Sequence, residues 1–219
     1  VFVDYLEIYD MSKILIGCEE SQVITTEFRK HGYEAYSCDL LSCSGGHPEW
    51  HIQGDVLAVA KNDKWDLGIF HPPCDYLTCT ANSWFKEQPQ RKSGVLVGAA
   101  RYAARELAVQ FFMDIITLDI PMKAVENPIG VMSTRYRKPD QIIQPYQFGH
   151  MDRKATCLWL SGLPRLKETN NVKSELYKLP QAKQQQNKNM KRTPDRKRLR
   201  SVTYQGIAEA IVQQWGKLL

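Results

Sequence analysis

The sequence predicts an α/β domain built on a doubly wound, mostly parallel sheet. Two observations carry that expectation. Short continuous apolar runs recur at Ile14, Leu15 and Ile16, at Trp65, Leu67, Ile69 and Phe70, and from Met122 to Val125, as in strands covered on both faces. Segments of helical periodicity lie between and after them, the alternation from which parallel sheets are built.

The chain has 219 residues and a mass of 25.2 kDa, enough for one domain with a substantial core. Residues 1–10 precede Met11 and are read as an extension or an expression remnant, outside the single domain over 11–219. No apolar run approaches the ~20 residues of a membrane span, and no leader pattern opens the chain, so no membrane partner is expected. Six irregularly spaced cysteines fit reduced thiols in a cytoplasm better than a secreted disulfide framework. The formal charge is +5, yet between Lys183 and Arg200 there are eight basic residues and one acid, Asp195, so the remainder stands at −2. Such a stretch can follow a phosphate backbone or form a solvated loop.

The first strand is read over Lys13 to Gly17, with Gly17 allowing a sharp turn through Cys18, Glu19, Glu20 and Ser21. Val23, Ile24 and Phe28 then share a helical face, so a helix opens near Ser21 and ends at His31 and Gly32. A strand, a tight turn and a helix amino terminus suit a nucleotide. Residues 33–38 form a second strand ending in Asp39, about twenty residues past the first turn, where nucleotide-binding units place a ribose-binding acid. Asp39 is equally open to reading as a cap or turn residue. Asp55 closes a third turn and can accept from an adenine amino group. Gly17, Asp39 and Asp55 thus outline a nucleoside-shaped site. Cys38, Cys43, His47 and His51 are zinc-ligand types, but three residues separate the two pairs where a finger has about twelve. They are read as a polar loop, with no metal.

The run ending at Phe70 meets His71, Pro72, Pro73 and Cys74. The prolines cannot donate ladder hydrogen bonds, so the strand stops and Cys74 sits on a stiff turn beyond its carboxyl end, where open α/β sheets bind ligands. Residues 75–91, with Tyr76, Trp84 and Phe85, read either as a base-stacking loop or as one packed by its own aromatics. Residues 93–118 give the longest helical signal, with Ala100, Ala103, Ala104, Leu107, Ala108, Phe111, Phe112 and Ile115 as its apolar face. The strand from Met122 to Val125 ends in Glu126, Asn127 and Pro128. A thiol at one strand end and a carboxylate at another suit addition to carbon 6 of cytosine, with an acid at ring nitrogen 3 making carbon 5 enamine-like. A base within a duplex must be flipped out for this.

These residues resemble the DNA cytosine-5 methyltransferases, and most closely the short phage and prophage members, over about Lys13 to Gly216. The resemblance implies a Rossmann-like S-adenosylmethionine-dependent methyltransferase fold, DNA as partner and a bacterial host cytoplasm. It assigns catalysis to Cys74, Glu126 and Asn127 beside Pro73, and cofactor binding to Gly17, Glu19, Ser21, Asp39, Asp55 and Pro72. The family's pair of arginines on alternate strand residues falls here on Lys154 and Thr156, next to Arg153. Apart from the resemblance, Arg135 and Arg137 interleave with Tyr136 and Tyr146, which suits nucleic-acid contacts and equally an exposed loop. The family's Gly-rich cofactor loop is replaced by Gly17 to Ser21, and a large recognition domain by the basic residues 163–202. A final helix is expected from Tyr204 to Trp215. Two alternatives stand beside this reading. One is an enzyme of the same fold acting on RNA or free nucleotides, the other a catalytically silent DNA-binding or inhibitor module.

Overall fold

The computed structural model describes residues 12–90 and 94–219. The expectations for residues 1–10, and for a helix opening at Ser93, lie outside the described residues. Seven strands form one sheet: β1 (Lys13–Gly17), β2 (Glu34–Asp39), β3 (His51–Gln53), β4 (Leu67–Phe70), β5 (Met122–Pro128), β6 (Gln141–Ile143) and β7 (Thr156–Ser161). Their order is β3-β2-β1-β4-β5-β7-β6. The first five run parallel, while β7 lies antiparallel to both β5 and β6. The eight α-helices described are α1 (Val23–Lys30), α2 (Val56–Asn62), α3 (Gly98–Ile116), α4 (Met132–Arg135), α5 (Lys173–Lys178), α6 (Gln186–Asn189), α7 (Arg196–Ser201) and α8 (Gln205–Trp215). This is the expected Rossmann-like α/β architecture, with strand order reversing between β1 and β4, the switch point at which such sheets bind ligands.

Alternation along each strand divides the core. Ile14, Ile16, Ile69, Ala124 and Leu158 face α1 and α8, where Phe28 and Trp215 are fully buried. Leu15, Phe70, Val125, Cys157 and Trp159 face α2 and α3. Each such side chain taken from water contributes about 1.5–3 kcal/mol. Burial pushes the Cys38 thiol up to about 12 and the Cys157 thiol to about 11; both act as small core hydrophobes.

Two local readings need correction. Gly17 does not make the turn by positive φ; Cys18 does, at φ 58°. Gly17 is required because a Cβ there would overlap the Phe70 ring and Val56, so the glycine serves strand packing. The apolar face expected on α3 holds over Ala108, Phe111, Phe112 and Ile115 and departs from expectation in the first turns. Ala100, Ala103 and Leu107 are exposed, whereas Arg101 is buried with Phe112 and Ile115. Arg101 and Arg105, one turn apart, lie against the Phe85 ring. They donate to the Asp75 and Tyr76 carbonyls at 2.9 and 2.8 Å. Guanidinium groups with carbonyl and ring partners have replaced aliphatic contacts.

The basic residues 163–202 fold onto the domain. Leu166 and Gln141 exchange two hydrogen bonds at 2.8 and 2.7 Å, and Lys167 and Gln214 two more. Asp152 gathers the Tyr204 hydroxyl at 2.6 Å and the Asn187 amide at 2.8 Å. Among the described residues, no helix is long and apolar enough to cross a membrane.

Candidate active site

Parallel pairing of β4 with β5, with Phe70 opposite Val125, brings His71 and Glu126 to the same sheet edge. By the period-2 rule, His71 follows Ile69 and Glu126 follows Ala124 on the α8 side. On β7, Thr156 shares that face with Leu158. His71, Glu126, Lys154, Thr156 and Tyr204 line one cavity that runs inward to Trp215. Glu126, Lys154 and Thr156 thus share one cavity wall, and Cys74 lies on the turn four residues past the end of β4, beyond His71.

Cys74 is exposed. Desolvation raises its thiol above the usual range, Asp75 and Glu126 push in the same direction, and Lys154 opposes them. At rest it is a thiol. Glu126 is 23% exposed along its side chain. Burial alone would raise its carboxyl, but the His71 hydrogen bond and charge, then Lys154 and Thr156, outweigh burial and hold it below the usual carboxylate range. Glu19 goes the other way, raised by full burial against the pull of His71 and Thr25. Two carboxyl groups around one imidazole are thereby driven apart, a pattern found where acid and base roles are divided.

The turn carrying Cys74 is tied to β5, which does not end at Val125 as the sequence suggests but runs on through Glu126 and Asn127 to Pro128, because β7 pairs with those residues. Asn127, almost wholly buried, donates from Nδ2 to the Pro72 carbonyl at 2.8 Å, which gives both residues a part in holding the turns together. Thr78 bridges Gly130, and the Val131 amide donates to the Leu77 carbonyl at 2.8 Å. A Cβ on Gly130 would overlap that same carbonyl oxygen. Gly130→Ala is therefore expected to cost about 1–3 kcal/mol of stability and to separate the two turns. Denaturant unfolding checks the first effect, and a wild-type midpoint would refute the close approach.

The other sequence-derived residues divide as follows. Glu19 accepts from the Ile24 amide at 2.7 Å, the Thr25 amide at 3.3 Å and the Thr25 hydroxyl at 2.7 Å, so the first donors of α1 are taken up internally. Ser21 is half-buried on the same turn. Asp39 accepts from the Leu41 amide and Asp55 from the Leu57 amide, both at 2.9 Å. Asp39 ends β2 and Asp55 caps α2 just past β3, and the Gly54 amide donates to the Asp39 carbonyl at 2.9 Å, which keeps the two acids on neighbouring turns. Arg153 lies over the Tyr177 ring and reaches Gln184. Arg135 pairs with Glu106, and Arg137 makes a two-pronged pair with Asp140; these partners lie away from the Cys74 cluster. His47 stacks on Trp50 and His51 bonds Ser37 and the Leu41 carbonyl. Among the described residues, no group of three or more His, Cys, Asp or Glu is placed to hold a metal ion.

Sequence reasoning gave no role to His71, Glu20, Lys197, Arg101 or Arg105. Lys197, on α7, reaches Asp75 Oδ2 at 2.6 Å, and Lys154 donates to the Arg200 carbonyl at 3.0 Å, so α7 lies at the mouth of the site. The available signals were the position of His71 in the strand-to-turn step and the one-turn spacing of Arg101 and Arg105.

No family model matches the chain, and no curated protein matches it in sequence. Among solved structures, it is similar to the Dnmt2 methyltransferase of S. pombe, with 11% identity over 76% of this chain and a TM-score of 0.43. It is also similar to a substituted form of DNMT2 from Spodoptera frugiperda, with 14% identity over 74% of this chain and a TM-score of 0.41. The matched region spans 54% of each of those chains, about half their length.

Proposed function

We propose that this chain transfers a methyl group from S-adenosylmethionine to carbon 5 of cytosine in DNA, through a covalent bond from Cys74 to carbon 6. The observation that supports this reading is the convergence of Cys74 and Glu126 from the ends of adjacent strands, with Lys154 acting on both. A nucleophile beside an acid at a switch point is what the addition requires.

The residues fit the cofactor. Glu20 is buried, and neither carboxylate oxygen has a hydrogen-bond partner. A buried unpaired carboxylate calls for a donor, which the amino group of the methionine portion provides. Asp39 and Asp55 each use one oxygen in a turn, leaving a second for ribose hydroxyls and the adenine amino group. When bound, S-adenosylmethionine supplies an electrophilic methyl group. For its part, the protein supplies the Cys74 sulfur, a carboxyl group at ring nitrogen 3, and Lys154 to oppose negative charge near the thiol. The basic α7 beside the mouth suits a phosphate backbone.

The test is transfer of labelled methyl groups to duplex DNA, with identification of the modified base and RNA and free cytidine nucleotides run in parallel. Label at carbon 5 of cytosine in DNA is the expected result. Label only in RNA or nucleotides would move the substrate, and binding of DNA without any transfer would leave a silent module.

A further inference from the structure

His71 lies against Glu126 and has no role in the chemistry above. Its Nδ1 lies 3.3 Å from Glu126 Oε2, and only 17% of its side chain is exposed. Its Nε2 is fully buried and, among the described residues, has no partner. The ring thus makes one directed contact, and that contact is with the carboxyl group assigned to the base.

Resting on the proposed cytosine chemistry, we infer that His71 is a positioning residue for Glu126, its Nδ1–H holding Oε2 so that Oε1 is presented to ring nitrogen 3. Glu126 is ionised at rest and accepts from Nδ1; once the base is seated, Oε1 takes up a proton from solvent. As the Cys74 thiolate, its proton lost to solvent, bonds to carbon 6, the carbon 5–carbon 6 π pair moves into the carbon 4–carbon 5 bond. The carbon 4–nitrogen 3 π pair then moves onto nitrogen 3, which takes the proton carried on Oε1. Glu126 is left as a carboxylate, and the hydrogen bond from His71 strengthens as that charge forms, which is how a fixed donor accelerates a step. The proton returns to Oε1 once carbon 5 has been methylated. Solvent water then takes the carbon 5 proton, the carbon 5–hydrogen pair forms the carbon 5–carbon 6 double bond, and the carbon 6–sulfur pair leaves with sulfur to restore the thiolate.

The charged and titratable groups around the imidazole come from each neighbouring element: Glu126 from β5 in direct contact, Lys154 before β7 and Tyr204 before α8 on the same cavity, and Glu19 from the turn after β1 through its charge. Glu19 is held towards its neutral form by burial, which leaves Glu126 as the carboxylate that the ring serves.

The experiment is a double-substitution cycle on methyl transfer with a cytosine duplex, using His71→Ala and His71→Asn, each with Glu126 present and in Glu126→Gln. His71→Ala is expected to lower kcat about tenfold or more, with KM for the duplex within about threefold. Asn, which keeps an N–H near the Nδ1 position, restores part of the loss. In Glu126→Gln the same changes cost less than about twofold, as expected for residues acting as one unit. The acid-side limb of the kcat profile moves to higher pH in His71→Asn, because burial of Glu126 then loses its main opposing charge. An equal loss in both backgrounds, or an unmoved limb, overturns the inference. Adduct formation between the unsubstituted protein and a duplex containing 5-fluorocytosine separates the two levels: without it the cytosine reading itself fails, and with it only the role of His71 is at stake.

Discussion

Cys74→Ala is expected to lower methyl transfer at least about 10³-fold and to eliminate any covalent adduct with 5-fluorocytosine DNA, because loss of a covalent nucleophile leaves only binding and electrostatic assistance. The substitution removes one exposed sulfur from a turn whose backbone is held by Asn127 and the Leu77–Val131 bond, so the melting temperature should stay within a few degrees. A second exposed thiol provides the control. Cys79 sits five residues on, and its Sγ lies 3.4 Å from the Ile129 carbonyl; Cys79→Ala should retain transfer. Substantial transfer by Cys74→Ala would sink the covalent mechanism.

Trp159→Ala should produce the largest loss of stability, about 3–5 kcal/mol. The indole is 2% exposed, meets the Phe112 ring edge-on at 5.1 Å, and donates from Nε1 to the Arg137 carbonyl at 2.9 Å. Truncation leaves a cavity on the α3 side of the sheet and a carbonyl without its donor, and these costs add. Because β7 pairs Leu158 with Glu126, the lost packing also loosens the strand that supports the carboxyl group. Chemical denaturation measures the effect, and a loss below about 1 kcal/mol would mean the site collapses around the gap.

What could be read from residues alone followed physical range. Strands β1, β4 and β5 announce themselves because burial on both faces demands continuous apolar runs, and Pro72 with Pro73 marks where β4 must stop. The places of Cys74 and Glu126 along the chain were legible for the same reason, each lying just past such an apolar run. The role of His71 depends on register between β4 and β5, which no local pattern encodes. Glu19 has the chemistry of a ligand-binding acid, and only the fold shows it folded back onto Thr25. Arg101 and Arg105 mislead in the opposite sense, since charged side chains on a helix ordinarily mark its wet face, and here carbonyls and Phe85 draw them inward.

The clasped ends of residues 163–202 bear on how this protein can diversify. The segment departs through paired bonds at Leu166 and Lys167 and returns at Tyr204, whose hydroxyl is fixed to Asp152. Doubling a flexible loop costs only about 0.6 kcal/mol in closure entropy, but between those clasps this segment is also bonded to the domain through Asn187 to Asp152, Gln184 to Arg153 and Lys197 to Asp75, so a replacement must renew those contacts as well as the clasps. A further condition concerns the lysine of the site. Lys154 hangs from the Arg200 carbonyl, so a grafted segment must present an acceptor at that point, or the lysine beside Cys74 swings free.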